Sequence, residues 1–442
     1  MRKIKKHIGL IIVLIIVIAF PTSLSNQTKI NMRVIVTGIA VDKSGEEFEV
    51  TAQIIKPSVG SKTAGGGASI DYVSDKGKTL SGAISKMSFK AGKSAAFSHT
   101  NFIILGKDML KEDVSESLDY FIRDKIIKNS ALVLFSEEKA SDEMKKTKNT
   151  DISAGMGLQK VFLFKEHESD GLMVTTMEFL NNNQSLSQTA TVSVLSLKTN
   201  EESSKGSGSS SSSSGSGSGS SSGEESGQSG GEQSKSSESS QSGEGESSGS
   251  SSGGSSGGSQ SKSENQYFVS ETPVLLFVGG KYAGKLETHE EISGFMFTNK
   301  ESKAMDLMIE SSDDGRLKDA KIEVNIKNMG SKKCVKFENE KPVLNVKVKI
   351  YNAEINEILC SDIVSSLSEE EYKKMNDDLK NEIKARVESC FNKAKSLKAD
   401  IFDAYEMAYR THYKKTKKYA DMQEFLRNLE IKVDVDVRKL DY

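Results

Sequence analysis

The sequence predicts an α+β fold of mixed α/β type, and three features of its apolar pattern carry that expectation. Strict two-residue alternation, as in Ile322, Val324 and Ile326 and in Leu344, Val346, Val348 and Ile350, marks strands with one buried and one wet face. Recurrence at three and four residues, as in Leu110, Val114, Leu118, Phe121 and Ile122, marks amphipathic helices set between such strands. The third feature is an interruption: residues 201–265 carry no large apolar side chain, so nothing there offsets the entropy of ordering, and the stretch reads as a disordered Ser/Gly-rich insert. A chain of 442 residues has room for two or three folded units.

The elements follow in order. Arg2, Lys3, Lys5 and Lys6 precede an apolar run from Ile8 to Phe20, closed by Pro21 to Ser25, which is the arrangement of a secretory signal. Thirteen residues make about 20 Å of helix, short of a hydrocarbon core of about 30 Å. Residues 1–25 are therefore read in two ways: a signal cleaved before Asn26, or a retained anchor. In the second, Ile8, Leu10, Ile12, Leu14, Ile16, Ile18 and Phe20 meet lipid and the basic residues stay cytoplasmic.

Val34 to Asp42, followed by Phe48, Val50, Ala52 and Ile54 on alternate positions, predicts a hairpin turning at Asp42-Lys43-Ser44-Gly45. Residues 58–78, rich in Gly, Ser and Lys, predict a mobile loop, and Leu80, Ala83, Ile84 and Met87 a helix. Short strands are expected at Phe102–Leu105 and Ala131–Phe135 around the helix of Leu110 to Ile122. At a typical span of about 45 Å, the insert could hold two domains apart or bulge from one, and composition alone favours an interdomain linker. Beyond it, Pro273–Val278 and Tyr282–Leu286 flank a Gly279-Gly280-Lys281 turn as a second hairpin. Ser368 to Glu371 form a capping box, and from it Tyr372, Met375, Leu379, Ile383, Val387, Cys390, Ala394 and Leu397 trace one face of a long helix over 368–397. Ile401 to Tyr409 continues or restarts that helix, and Val433, Val435 and Val437 close the chain as a half-buried strand.

Charge and chemistry exclude more than they select. A formal net charge of −2 removes the sequence-wide case for nucleic acid, which needs an excess of Lys and Arg against phosphate. The insert alone holds nine Glu against three Lys. Cys334, Cys360 and Cys390 lack metal-cluster spacing and read as small buried apolar side chains, with one disulfide among them as the alternative. None of the five histidines stands in a metal or triad frame. His99, among small polar residues ahead of a buried strand, is the most site-like, although a hydrogen-bonded structural role is the better reading. Neither a cofactor nor a metal is expected. Arg410, Lys414, Lys415, Lys417 and Lys418, interleaved with Tyr409, Tyr413 and Tyr419, form a basic run. It reads first as a solvated helix face, and second as a contact for anionic lipid or an acidic partner.

Four stretches, taken together and in order, carry a family resemblance. They are Val34 to Asp42 with Val50 to Ile55; Asn101 to Gly106 leading to Leu118 to Asp124; Phe277 to Leu286; and Leu397 to Phe402. With them the chain resembles the C subunits of bacterial spore germinant receptors, the GerAC or Ger(x)C family. The resemblance implies three consecutive domains, each a sheet packed with helices: 30–150, 151–305 with 201–265 inserted in it, and 306–442. It further implies a non-enzymatic protein at the outer face of the inner spore membrane, acting beside A-type and B-type membrane subunits to trigger germination. The family's lipobox cysteine is missing, since no Cys precedes Cys334. Anchoring would then fall to residues 8–24 or to partner subunits. A surface-tethered cell-wall hydrolase or wall-binding module is the competing reading, disfavoured by the lack of a catalytic frame.

Overall fold

Apolar alternation from Val34 onward becomes strand β1 (Arg33–Ser44), which turns at Gly45 (φ 63°) into antiparallel β2 (Glu47–Lys56). The computed structural model describes residues 33–56, 69–90, 92–123, 126–147, 156–199, 267–269, 272–360 and 366–442. The anchor residues Ile8 to Phe20 and the whole insert 201–265 lie outside them. The expected loop 58–78 is corrected over its second half, because β3 (Ser69–Gly77) pairs antiparallel with β2. Polar and half-buried, this edge strand is held by backbone pairing and by a 2.7 Å hydrogen bond between the Thr51 and Ser74 hydroxyls, so it needs no apolar alternation.

Three parallel additions complete the first sheet, β4 (Ser94–Ala96) and β5 (Phe102–Leu105) beside β1, and β6 (Leu132–Phe135) beside β5. Both β5 and β6 are buried along their whole length, as parallel strands covered on two faces must be. Ile103, Leu105, Val133 and Phe135 join one apolar cluster, and Phe102, Ile104, Leu132 and Leu134 another. The helices here are α1 (Leu80–Lys90), α2 (Val114–Arg123) and α3 (Ala140–Lys146). Lys107–Lys111 is a separate 3-10 turn, so the single helix expected over 110–122 begins only at Val114.

Two helices follow, α4 (Met156–His167) and α5 (Thr176–Gln184), the latter opened by a capping box between Thr175 and Glu178. A three-stranded sheet then forms from β7 (Thr189–Ser193), β10 (Val274–Val278) and β11 (Lys281–Leu286), with β10 in the middle. Between them in sequence, β8 (Leu197–Thr199) and β9 (Tyr267–Val269) pair antiparallel, Thr199 opposite Tyr267. Thr199 and Tyr267 are thus strand neighbours although 67 positions lie between them in sequence.

After α6 (His289–Met296), the last sheet runs β12 (Met305–Glu310), β13 (Lys321–Glu338), β14 (Lys341–Leu359) and β15 (Glu430–Val437), with β16 (Leu440–Asp441) also beside β14. The two long strands extend well beyond the alternation at 322–326 and 344–350, because register shifts near Val324 and Asn328 break the period while pairing continues. Asn339 and Glu340 turn the hairpin with φ of 46° and 65°, a two-residue loop matched to strand twist.

Helix α7 (Glu369–Ser396) starts at a true capping box: Ser368 Oγ accepts from Glu371 N–H, and Glu371 Oε2 accepts from Ser368 N–H at 2.7 Å. Its apolar face buries Met375, Leu379, Ile383, Val387, Cys390 and Ala394, each large aliphatic worth about 1.5–3 kcal/mol. Gly294 of α6 lies against the Arg386 carbonyl, where a Cβ would stand 2.2 Å from the oxygen. The helical pattern restarts rather than continues: α8 (Ala404–Thr411) follows a break with Lys398 and Asp403 at positive φ, then come α9 (Tyr413–Thr416) and α10 (Met422–Asn428).

Candidate functional site

The break between α7 and α8 is organised by one buried carboxylate. Asp400, 2% exposed, accepts at Oδ1 from Ala404 N–H (2.9 Å) and at Oδ2 from Tyr405 N–H (2.8 Å) and Ser187 Oγ (2.7 Å). Its own N–H donates to Thr189 Oγ1 at 3.0 Å. It caps the first turn of α8 and ties it to the segment entering β7. Burial raises its carboxyl above the usual range, against the pull of its three donors and the Lys333 charge.

With Asp400 fixed, Phe402 and Asp403 face a cleft of about 780 Å³. Its sides come from the end of α5 (Asn181, Asn182), the start of α8 and the β13 residues Ser331 to Lys333. Lys333 Nζ sits over the Phe402 ring, 5.8 Å from its centroid. Burial lowers the Lys333 ammonium, while Asp403 and Asp400 hold it up. Asp403 occupies the left-handed region at φ 57°, which aspartate tolerates, and burial lifts its carboxyl to about 6. Lys300, Lys332 and Lys333 form no ion pair among the described residues, whereas Arg410 at the same cleft is paired with Glu406.

A second hollow of about 350 Å³ adjoins the first and shares Asn182, Lys300, Lys333 and Asp403 with it. Its far side is acidic, with Glu166, Glu178 and Glu301. Burial pushes Glu166 up to about 7, although Asn299 Nδ2 donates to its Oε1 at 3.3 Å. The combined depression is therefore polarised, basic along β13 and acidic beside α4 and α5. Such a surface suits recognition of a polar or charged partner.

The residues singled out in the sequence do not converge there. Of the basic run, only Arg410 reaches the cleft. Lys415 and Lys418 both pair with Glu340 in the β13–β14 turn, at 3.3 and 2.9 Å, and Lys417 Nζ stands over the Tyr413 ring at 5.7 Å. Lys414 is exposed on α9. The run is thus a partly neutralised surface around one hairpin turn. His99 is exposed in the 3-10 turn Phe97–His99 and makes no hydrogen bond to a described residue, so the bonded structural role expected for it is not found. Its neighbour Thr100 is the buried polar group, with Oγ1 donating to the Val36 carbonyl. Cys334 and Cys390 are free thiols, and of the three cysteines only Cys390 is fully buried; Cys334 points outward from β13 because it falls on the wet side of that strand's alternation.

Sequence reasoning missed Asp400, Asp403, Lys333 and Glu166. A signal existed for the first, since Leu397 to Phe402 stood out as a motif, but an acidic residue in a helix break gives no hint of what it caps.

Comparison with known proteins bears on these features. Residues 26–197 match the family described as the spore germination protein N-terminal domain, and residues 273–439 match the family described as spore germination B3/GerAC like, C-terminal. Over 154 residues the chain is 29% identical to YfkR of Bacillus subtilis (strain 168), a protein provisionally named for spore germination. That similarity spans 34% of this chain and 39% of the relative. Among solved structures, the crystal structure of the GerBC protein aligns with a TM-score of 0.47 at 14% identity, covering 91% of this chain and 96% of that one.

Proposed function

Because the chain belongs to the GerAC family of spore germination proteins, we propose that it is the C-type subunit of a nutrient germinant receptor. In this reading it has no enzymatic activity of its own and lies at the outer face of the inner spore membrane beside A-type and B-type membrane subunits. The observation that carries the reading is the pair of family matches, in family order, on either side of the Ser/Gly-rich insert. We assign the anchor to Ile8 through Phe20 in place of a lipid. The three domains are assigned to 30–150, 151–305 and 306–442. Pairing of Thr199 with Tyr267, and of β7 with β10, supports the placement of 201–265 as an excursion from the middle one.

Deletion of the gene tests the assignment. Spores of the deletion strain are expected to lose the response to at least one nutrient mixture while still germinating under a non-nutrient trigger. Full nutrient germination in that strain, or loss of a wall-degrading activity instead, would sink it.

A further inference from the structure

Strand β13 is covered by β12 only as far as Ile326, yet it continues for twelve residues more. Along that extension the outer edge is occupied at two points. Met329 N–H donates to the Lys303 carbonyl at 3.0 Å, and the Val335 carbonyl accepts from His412 Nε2 at 3.2 Å. Register with β14 is unbroken from Met329 to Glu338, so residues of the same parity as Met329 and Val335 turn their backbone groups the same way, away from β14. Between those two points they are Ser331 and Lys333. Their N–H and C=O groups make no hydrogen bond to any described residue, and both line the 780 Å³ cleft.

An open strand edge bordered by cations has a defined complement. Four backbone groups at strand spacing match another extended backbone and not a compact ligand. Lys300, Lys332 and Lys333, none in an ion pair with a described residue, outweigh Asp403 and favour negative charge on what lies there. We propose that the edge of β13 at Ser331–Lys333 is a docking site for an extended acidic peptide segment of a partner polypeptide, which adds as a strand and sets its carboxylates against Lys300, Lys332 and Lys333. The window from Met329 to Val335 accommodates about seven extended residues, roughly 23 Å. The proposal does not depend on the receptor reading, because it rests on backbone parity and charge alone.

The test uses the full chain in detergent and a fluorescent, end-blocked heptapeptide alternating Glu and Val. Saturable binding by anisotropy is expected, weakening as salt rises. A peptide of the same sequence with alternate backbone nitrogens methylated, equal in charge but unable to pair, should bind at least tenfold more weakly. Ser331→Pro removes an outward N–H at an edge where proline is tolerated, and should cost a similar factor with little change in melting temperature. Hydrogen exchange at the Ser331 and Lys333 amides should slow when the peptide is bound. Absence of saturable binding up to millimolar peptide would overturn the proposal. So would equal binding of the methylated peptide, or displacement by the same concentration of free glutamate, since either outcome identifies a simple anion site.

Discussion

Ser187 and Asp400, 213 positions apart, meet in a 2.7 Å hydrogen bond with both residues buried, joining the approach to β7 to the first turn of α8. Truncating Asp400 leaves the N–H groups of Ala404 and Tyr405 and the Ser187 hydroxyl without their acceptor in the interior. Asp400→Ala is expected to destabilise the chain by about 3 kcal/mol and Ser187→Ala by about 1–2 kcal/mol. In urea denaturation of the singles and the double, a shortfall from additivity of at least about 1 kcal/mol should appear. Strict additivity would mean that the bond contributes nothing to stability.

Gly38 is fixed by a neighbour rather than by its own conformation. A Cβ there would lie 2.1 Å from Cζ of the buried Phe102, beside the register shift in β1 between Val36 and Gly38. Gly38→Ala should therefore cost about 2 kcal/mol through overpacking. Phe102→Leu opens room, so the double variant should be less destabilised than the sum of the singles by at least about 1 kcal/mol. Thermal melts of the three variants decide the matter, and a harmless Gly38→Ala refutes the contact.

What could be read from the sequence was whatever follows a period. The β1–β2 hairpin, the buried runs β5 and β6 and the face of α7 announce themselves, because alternation and helical spacing are local consequences of burial. The edge strand β3 did not, since Asp71, Ser74, Asp75 and Lys76 satisfy their backbones without needing a buried face. The depression beside β13 was invisible for a different reason. Glu166, Lys333 and Asp403 lie on α4, β13 and the entry to α8, far apart in sequence and brought together only by tertiary packing. The Arg410 to Lys418 run was conspicuous by spacing alone, yet Glu340, which neutralises part of it, comes from a turn some seventy residues upstream.

Titration of Glu166 gives the depression a pH signature. Burial lifts this carboxyl from 4.5 to about 7, so between those values the folded chain holds a proton that the unfolded chain has released. Stability therefore falls as pH rises through that window, and the cost is complete above about pH 7. Asp403, raised from 3.8 to about 6, acts with the same sign over a lower window. Glu166→Gln should flatten the decline between pH 4.5 and 7 and melt about 2 °C above the wild type at pH 8. Adding Asp403→Asn, which keeps a residue suited to the left-handed backbone, should flatten it further. An unchanged slope in the double variant would show both groups to be ionised in the fold at pH 6.

The basic run offers a way to separate contact from folding. Lys415 and Lys418 reach Glu340 in exposed pairs, which contribute little to stability at ordinary salt. Replacing Lys414, Lys415, Lys417 and Lys418 together by Gln should change the unfolding free energy by less than about 1 kcal/mol. A spore strain carrying this variant would then hold a folded protein lacking four cations beside the β13–β14 turn. If the run meets an anionic leaflet or an acidic partner, the second of its two readings, nutrient germination in that strain should slow several-fold at unchanged protein level. Wild-type germination kinetics would return the run to a solvated helix face. A stability loss of several kcal/mol would instead place these lysines in the fold and remove any inference about contact.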